Sequence, residues 1–123
     1  MKKIVSTMVA LGLLIPGAAW SQSHSSILPV LTGAYAPAEG GCEAAAAAFI
    51  YIEDMAIGAN KTTGKVLSVK QDGGSYVLDV LWIEAGSDEA EGDRDTVKID
   101  VKDDRSFFFS NTASKKTLMR WCS

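Results

Sequence analysis

Six carboxylates within one short segment, residues 84–95, form the densest set of chemically active side chains in this chain. They are Glu84, Asp88, Glu89, Glu91, Asp93 and Asp95. Arg94 is the only cation among them. Their spacing does not fit the calcium loop of an EF-hand, which needs alternating oxygen donors, a central Gly and a distal Glu. The segment is predicted as a solvated loop, with a calcium site as one alternative. The other alternative, which we take as the candidate partner-binding site, is an acidic surface that docks on a positively charged protein.

Side chains that could catalyse a reaction are few. His24 is the only histidine and lies in a polar stretch, so no Ser-His or Cys-His pair is expected. No phosphate-binding glycine loop or dinucleotide fingerprint is present. Asp79 is the best single candidate for a catalytic carboxylate, because it shares a strand face with Val77 and Leu81 and burial of that face would favour its protonated form. The alternative is a position that faces solvent. We therefore predict no enzyme activity, no cofactor and no metal ion.

Aromatic side chains suggest a different kind of site. Phenylalanine occupies each of positions 107–109, and in a strand the middle one, Phe108, faces opposite to its neighbours. Together with Tyr76 and Trp82, Phe108 would form an apolar binding patch. The alternative is a sheet that is covered on both faces there, for example by residues 27–31.

The chain has two cysteines, Cys42 and Cys122. In an oxidising compartment an even count of two indicates one disulfide bond. Free thiols or metal ligands are the alternative, but no Cys-x-x-Cys spacing and no nearby histidine supports them.

The first 21 residues predict an export signal. Residues 1–3 carry two lysines, residues 4–15 are apolar, and Ala19 and Ser21 are small residues at positions −3 and −1 of a cut after Ser21. The apolar stretch is shorter than the roughly 20 residues of a membrane-spanning helix, so cleavage is favoured over an uncleaved anchor. We expect a mature protein in the bacterial periplasm or the medium.

The charge balance limits the class of partner. The chain has 12 Lys and Arg against 15 Asp and Glu, and cleavage would remove Lys2 and Lys3, which changes the net charge from −3 to −5. Nucleic acids and anionic lipids are bound mainly through Lys and Arg. We therefore expect no nucleic acid and no stable membrane insertion after cleavage, and a protein as the partner.

Strand-like segments separated by turn signals dominate the rest of the chain. The clearest alternation is in 96–102, where Val97, Ile99 and Val101 face one way. Gln71-Asp72-Gly73-Gly74 is a hairpin signal. The predicted strands are 47–53, 64–70, 75–84, 96–102, 105–110 and 116–122. This order indicates an all-β antiparallel meander, which forms a small barrel or a curled sheet clamped by one disulfide.

The region 43–55 gives conflicting signals, because an alanine run favours helix and the cluster that follows it favours strand. We predict one short helical turn near residues 43–48 that leads into the strand, with one helix over 42–55 as the alternative. The predicted organisation is a signal peptide at 1–21, an extended and partly disordered segment at 22–41, and a disulfide-clamped β domain at 42–123.

In size, export, meander and terminal disulfide, the chain resembles the periplasmic inhibitors of c-type lysozyme. Gly73-Gly74-Ser75-Tyr76 is loosely similar to the Ser-Gly-x-x-Tyr-like element of those proteins. The resemblance implies an inhibitor or immunity-type protein that binds a cationic hydrolase, and it identifies no inhibitory residue. The alternatives are a lipocalin-like carrier of a small molecule or lipid, which a cavity lined by Tyr76, Trp82 and Phe108 would favour, and a structural role.

Overall fold

Eight antiparallel strands form a closed barrel in the computed structural model, which describes residues 23–123. Each strand pairs with the next along the chain, and β1 also pairs with β8 to close the barrel. The strands are β1 Gly33–Pro37, β2 Ile50–Ile52, β3 Ala56–Ala59, β4 Thr62–Asp72, β5 Ser75–Glu84, β6 Asp93–Asp103, β7 Ser106–Ser110 and β8 Thr117–Trp121. The predicted all-β meander is confirmed. The predicted signal peptide lies outside the described residues.

Helix is limited in residues 23–123 to three single 3₁₀ turns, at Gly41–Glu43, Ala46–Ala48 and Glu89–Glu91. The predicted short turn before a strand is confirmed, and the alternative of one helix over 42–55 is wrong. The strand Ile50–Ile52 pairs with both β1 and β3, so its backbone groups find partners on both sides and no helix is needed to satisfy them. No helix in this part of the chain has the length and apolar character required to cross a membrane.

Two strands, β1 and β3, were not predicted from the sequence. Both are short and consist largely of small residues, and β1 ends at Pro37, so neither carries a strong strand pattern. Their neighbours supply the pairing that their own side chains do not encode. The barrel therefore begins at Gly33, upstream of the domain boundary that was predicted at Cys42.

The barrel interior follows the predicted alternation of side chains. On β5 the inward positions are Tyr76, Leu78 and Val80, and on β6 Val97 and Ile99 face them. On β7, residues 107 and 109 are buried and residue 108 faces outward. The fully buried side chains of largest volume are Tyr35, Phe107, Ile52, Ile57, Leu78, Ile99, Val30, Val80 and Val97.

One end of the barrel, here called the closed end, is covered by residues 23–32. This is the end where the β2–β3, β4–β5 and β6–β7 turns lie. Leu28, Val30 and Leu31 are buried there, and the Tyr35 hydroxyl donates a hydrogen bond of 2.7 Å to the carbonyl oxygen of Leu31. Burial raises the pKa of Tyr35, so the hydroxyl keeps its proton and remains a donor.

A disulfide bond joins Cys42 to Cys122, as predicted, with the two Cα atoms 5.7 Å apart. Cys42 lies in the connection after β1, and Cys122 directly follows β8. The bond therefore ties together the two strands that close the barrel.

Candidate functional site

The opposite end of the barrel, here called the open end, contains a pocket of about 500 Å³. Its walls are mostly apolar, with a few hydroxyl and amide groups, and no lysine or arginine of the described chain lines it. The lining residues are Pro37, Ala47, Ala48, Phe49, Ile50, Ala59, Thr62, Trp82, Phe109, Asn111, Ser114, Thr117 and Met119.

The strands position the pocket walls through their inward-facing residues. Ile50, Phe109 and Met119 belong to three different strands and are nearly fully buried at the base of the pocket. Residues 23–32 cover the closed end, whereas at the open end residues 47–49 of the β1–β2 connection line the pocket beside the strands. The pocket is therefore formed by inward-facing strand residues together with the end of one connection.

Trp82 forms one wall because its cross-strand partner has no side chain. Gly64 lies directly opposite Trp82 in the β4–β5 ladder. A Cβ atom at Gly64 would lie 2.9 Å from Cζ3 of Trp82 and 2.8 Å from Cγ1 of Val80. Both distances are shorter than real contacts allow, so glycine at this position makes room for the indole ring.

Asp95 fixes two of the pocket-lining side chains. Its Oδ2 accepts hydrogen bonds from Nε1 of Trp82 at 2.9 Å and from Nδ2 of Asn111 at 3.0 Å. Its Oδ1 accepts from the Thr112 hydroxyl and from the backbone N–H of Thr96, both at 2.8 Å. Partial burial acts to raise the pKa of Asp95, but these hydrogen bonds outweigh it and lower the pKa below 3.8. The carboxylate therefore stays ionised and holds the indole in place.

The predicted acidic segment separates into groups with different roles. Asp95 is half-buried and is a residue of β6 rather than of a loop. Glu89 pairs with Lys65 at 2.8 Å, and Asp88 accepts a hydrogen bond from the backbone of Ala90 at 3.1 Å. The other three acids are exposed at the open end and make no side-chain hydrogen bond or ion pair within residues 23–123. They are Glu84, Glu91 and Asp93.

The three residues of the predicted apolar patch do not lie together. Trp82 lines the pocket at the open end, whereas Tyr76 is buried near the closed end, about 20 Å away along β5. Phe108 faces outward, with the Lys116 ammonium 5.0 Å from its ring centroid. The Gly73–Tyr76 element that carried the resemblance also lies at the closed end. The sequence correctly indicated that the side chains of residues 107–109 alternate between the two faces of the strand. The residue of this group that lines the pocket, however, is Phe109 and not Phe108.

The remaining candidate side chains make contacts at the barrel surface. Asp79 faces outward and pairs with Arg94, whose Nη2 is 2.5 Å and Nε 3.3 Å from the two carboxylate oxygens. His24 Nε2 lies 3.7 Å from a carboxylate oxygen of Asp104. Within residues 23–123, no three acidic, histidine or cysteine side chains converge as a metal site requires.

Comparison of the chain with known protein families, with curated proteins and with solved structures finds no match. Two features of the described residues bear on function: the pocket at the open end, and the three exposed acids Glu84, Glu91 and Asp93, here called the acidic rim.

Proposed function

We propose that this protein is a non-enzymatic carrier that binds a small, largely apolar molecule in the open end of its barrel. The observation that carries this proposal is the pocket of about 500 Å³ with mostly apolar walls. That volume lies within the roughly 300–1,000 Å³ of typical small-molecule sites. Interiors of small barrels are usually filled by side chains, so a space of this size at one end supports the binding of a ligand there.

The pocket is arranged before any ligand arrives. Asp95 holds both Trp82 and Asn111, and Gly64 leaves the indole its space. A wall that is already ordered costs little conformational entropy when a ligand contacts it, which favours affinity. The hydroxyls of Thr62 and Thr117 stand among the polar groups that would orient such a ligand.

Titration with a neutral apolar fluorophore, N-phenyl-1-naphthylamine, tests this proposal. Thr117→Phe places a ring in the pocket and is expected to weaken probe binding about tenfold or more. Thr63→Phe makes the same change at an exposed position of β4 outside the pocket and is the matched control. Circular dichroism confirms that both variants are folded. Equal binding by wild type and Thr117→Phe would show that the pocket is not the site.

A second candidate function is binding of a cationic protein by the acidic rim, as an inhibitor or immunity-type protein would do. It is favoured by the three exposed acids Glu84, Glu91 and Asp93, which have no ion-pair partner within residues 23–123 and lie at one end of a barrel that a disulfide bond closes. Such charges speed encounter and select the sign of the partner.

Mixing the mature protein with c-type lysozyme at low and high salt tests the second candidate. Glu84→Gln/Glu91→Gln should weaken a low-salt complex, whereas Glu53→Gln/Asp72→Asn, which removes two exposed acids near the closed end, should not. No complex at low salt would exclude this hydrolase as the partner. Equal weakening by both variants would show that only net charge matters.

Either function is proposed for an exported protein, because residues 1–21 carry the signal pattern and the fold uses a disulfide. Mass spectrometry of protein recovered from the periplasm or medium should find a chain that begins at Gln22. A recovered chain that still begins at Met1 would contradict export with cleavage.

A further inference from the structure

A second pocket, of about 360 Å³, lies near the closed end of the barrel, where β6, β7 and β8 adjoin. Its lining combines three cationic side chains with one carboxylate, one hydroxyl and one indole. The residues are Lys102, Asp103, Arg105, Ser106, Arg120 and Trp121. This pocket differs from the first in lining and in location, so it is a separate site.

The sheet brings the three cations together from separate parts of the chain. Lys102 lies at the register shift between Val101 and Asp103, where β6 carries an unpaired residue. Arg105 is in the β6–β7 turn, and Arg120 lies on β8 opposite Ser106. Strand bulges redirect side chains and often lie beside functional sites.

The cations outnumber the acid in this pocket. Within residues 23–123, none of Lys102, Arg105 and Arg120 has a carboxylate oxygen within ion-pair distance. The Asp103 carboxylate accepts hydrogen bonds from the Ser106 hydroxyl at 2.8 Å and from the Arg105 backbone at 2.9 Å. The chain as a whole is acidic, so three cations around one pocket are a local departure from its charge.

Arg105 and Trp121 are held in place before any ligand binds. The Arg105 guanidinium carbon lies 5.5 Å from the centroid of the Trp121 ring, a cation–π arrangement. The indole Nε1 of Trp121 donates a hydrogen bond to the carbonyl oxygen of Thr32 at 3.0 Å. The backbone N–H of Trp121 donates to the carbonyl oxygen of Arg105 at 2.8 Å. A guanidinium that is fixed on an aromatic ring loses little freedom when it binds an anion.

We propose that this pocket binds a phosphate or sulfate group, either free or as part of a small organic molecule. Two guanidinium groups offer the paired N–H donors that match the oxygens of such a group, and Lys102 adds a third positive charge. This site is independent of the proposed carrier function, because it lies near the opposite end of the barrel.

Nuclear magnetic resonance titration of ¹⁵N-labelled mature protein with inorganic phosphate and inorganic sulfate tests the proposal. The Trp121 indole N–H and the amides of Arg105 and Ser106 should shift saturably. Arg105→Gln/Arg120→Gln should weaken the apparent affinity about tenfold or more. Lys70→Gln/Lys98→Gln removes two positive charges that lie outside the pocket and should leave it unchanged.

Lys102→Gln is a second variant, for the case that the double arginine variant does not fold. Lys102 is exposed and makes no ion pair within residues 23–123, and its replacement should still weaken binding several-fold. A titration with glucose 6-phosphate, with glucose as its control, separates the two sources of the group. Tighter binding of the ester indicates an organic phosphate, and equal binding indicates the free anion. No saturable shift with any of these anions, or equal shifts in the arginine variant, would overturn the proposal.

Discussion

At the scale of single residues, hydrogen-bond donors decide what a carboxylate does in this protein. Asp93 and Asp95 are two positions apart on the same strand, so both belong to one face of β6. Asp93 is exposed and makes no side-chain hydrogen bond within residues 23–123. Asp95 receives four hydrogen bonds, and one of them comes from the indole that forms a pocket wall. Asp93 is therefore an exposed charge of the acidic rim, whereas Asp95 holds the side chains of the pocket wall in place.

Replacing Asp95 by Asn should destabilise the fold at neutral pH and reduce the pH dependence of its stability. An amide cannot accept hydrogen bonds at both of its terminal atoms, so either Trp82 and Asn111 or Thr112 and Thr96 lose their acceptor, at a cost of about 1–3 kcal/mol. The folded-state pKa of Asp95 lies below its unfolded value near 3.9. The stability that the carboxylate contributes is therefore present above pH 4 and is lost as the pH falls through the folded pKa.

Urea unfolding at pH 7 and at pH 3 measures this effect. The gap in unfolding free energy between wild type and Asp95→Asn should be larger at pH 7 than at pH 3. Asp100 and Asp103, whose pKa values are also lowered by serine hydroxyl hydrogen bonds, are present in both proteins, so their contributions cancel. Asp93→Asn is the matched control and should stay within about 0.5 kcal/mol of wild type. A gap that does not change with pH would contradict the assigned role of Asp95.

At the scale of the elements, the sequence predicted those strands whose own side chains encode them. β5 was predicted at 75–84 and has these bounds, because its apolar residues are numerous and the turns beside it are clear. β1 and β3 were missed, because small residues give no pattern and their partners supply the pairing. The sequence identified Trp82 as a candidate binding residue, but it did not identify Phe109 and Met119. Which inward-facing residues line a pocket depends on how the whole barrel closes, and no local pattern encodes this.

Residues 23–32 act as a lid that completes the hydrophobic core at the closed end. Leu28 is 2% exposed, so Leu28→Ala should lower the unfolding free energy by about 2–5 kcal/mol. Leu67→Ala makes the same change at a position on β4 that is 41% exposed, and it should cost much less. Urea denaturation measures both variants. Similar losses for the two would show that the segment does not belong to the core.

At the scale of the whole molecule, the two ends of the barrel differ in chemistry. The open end carries the apolar pocket and the exposed acids, and the closed end carries the lid and the cationic pocket. The two pockets differ in their lining and lie near opposite ends of one small domain, so the two ligands proposed for them would not compete for the same surface. The disulfide links the connection after β1 covalently to the residue that follows β8.

Removing the disulfide should weaken both the barrel and the open pocket. Cys42 and Cys122 are 80 residues apart in sequence, and closing a loop of that length stabilises the fold by roughly 4 to 5 kcal/mol on the chain-entropy estimate, an upper figure. Cys42→Ser/Cys122→Ser should lose stability toward that limit. The connection that carries Cys42 also supplies Ala48 and Phe49 to the pocket wall, so probe affinity should fall as well.

Urea unfolding with and without reductant separates the bond from the substitution. Reductant should bring the wild type close to the stability of the double serine variant and should leave that variant unchanged. An equal loss in both proteins would mean that reductant acts elsewhere. If the disulfide bond did not stabilise the fold, wild type and variant would unfold at the same urea concentration and bind the probe equally. Loss of stability together with loss of probe binding would instead show that the disulfide bond stabilises both the barrel and the pocket wall.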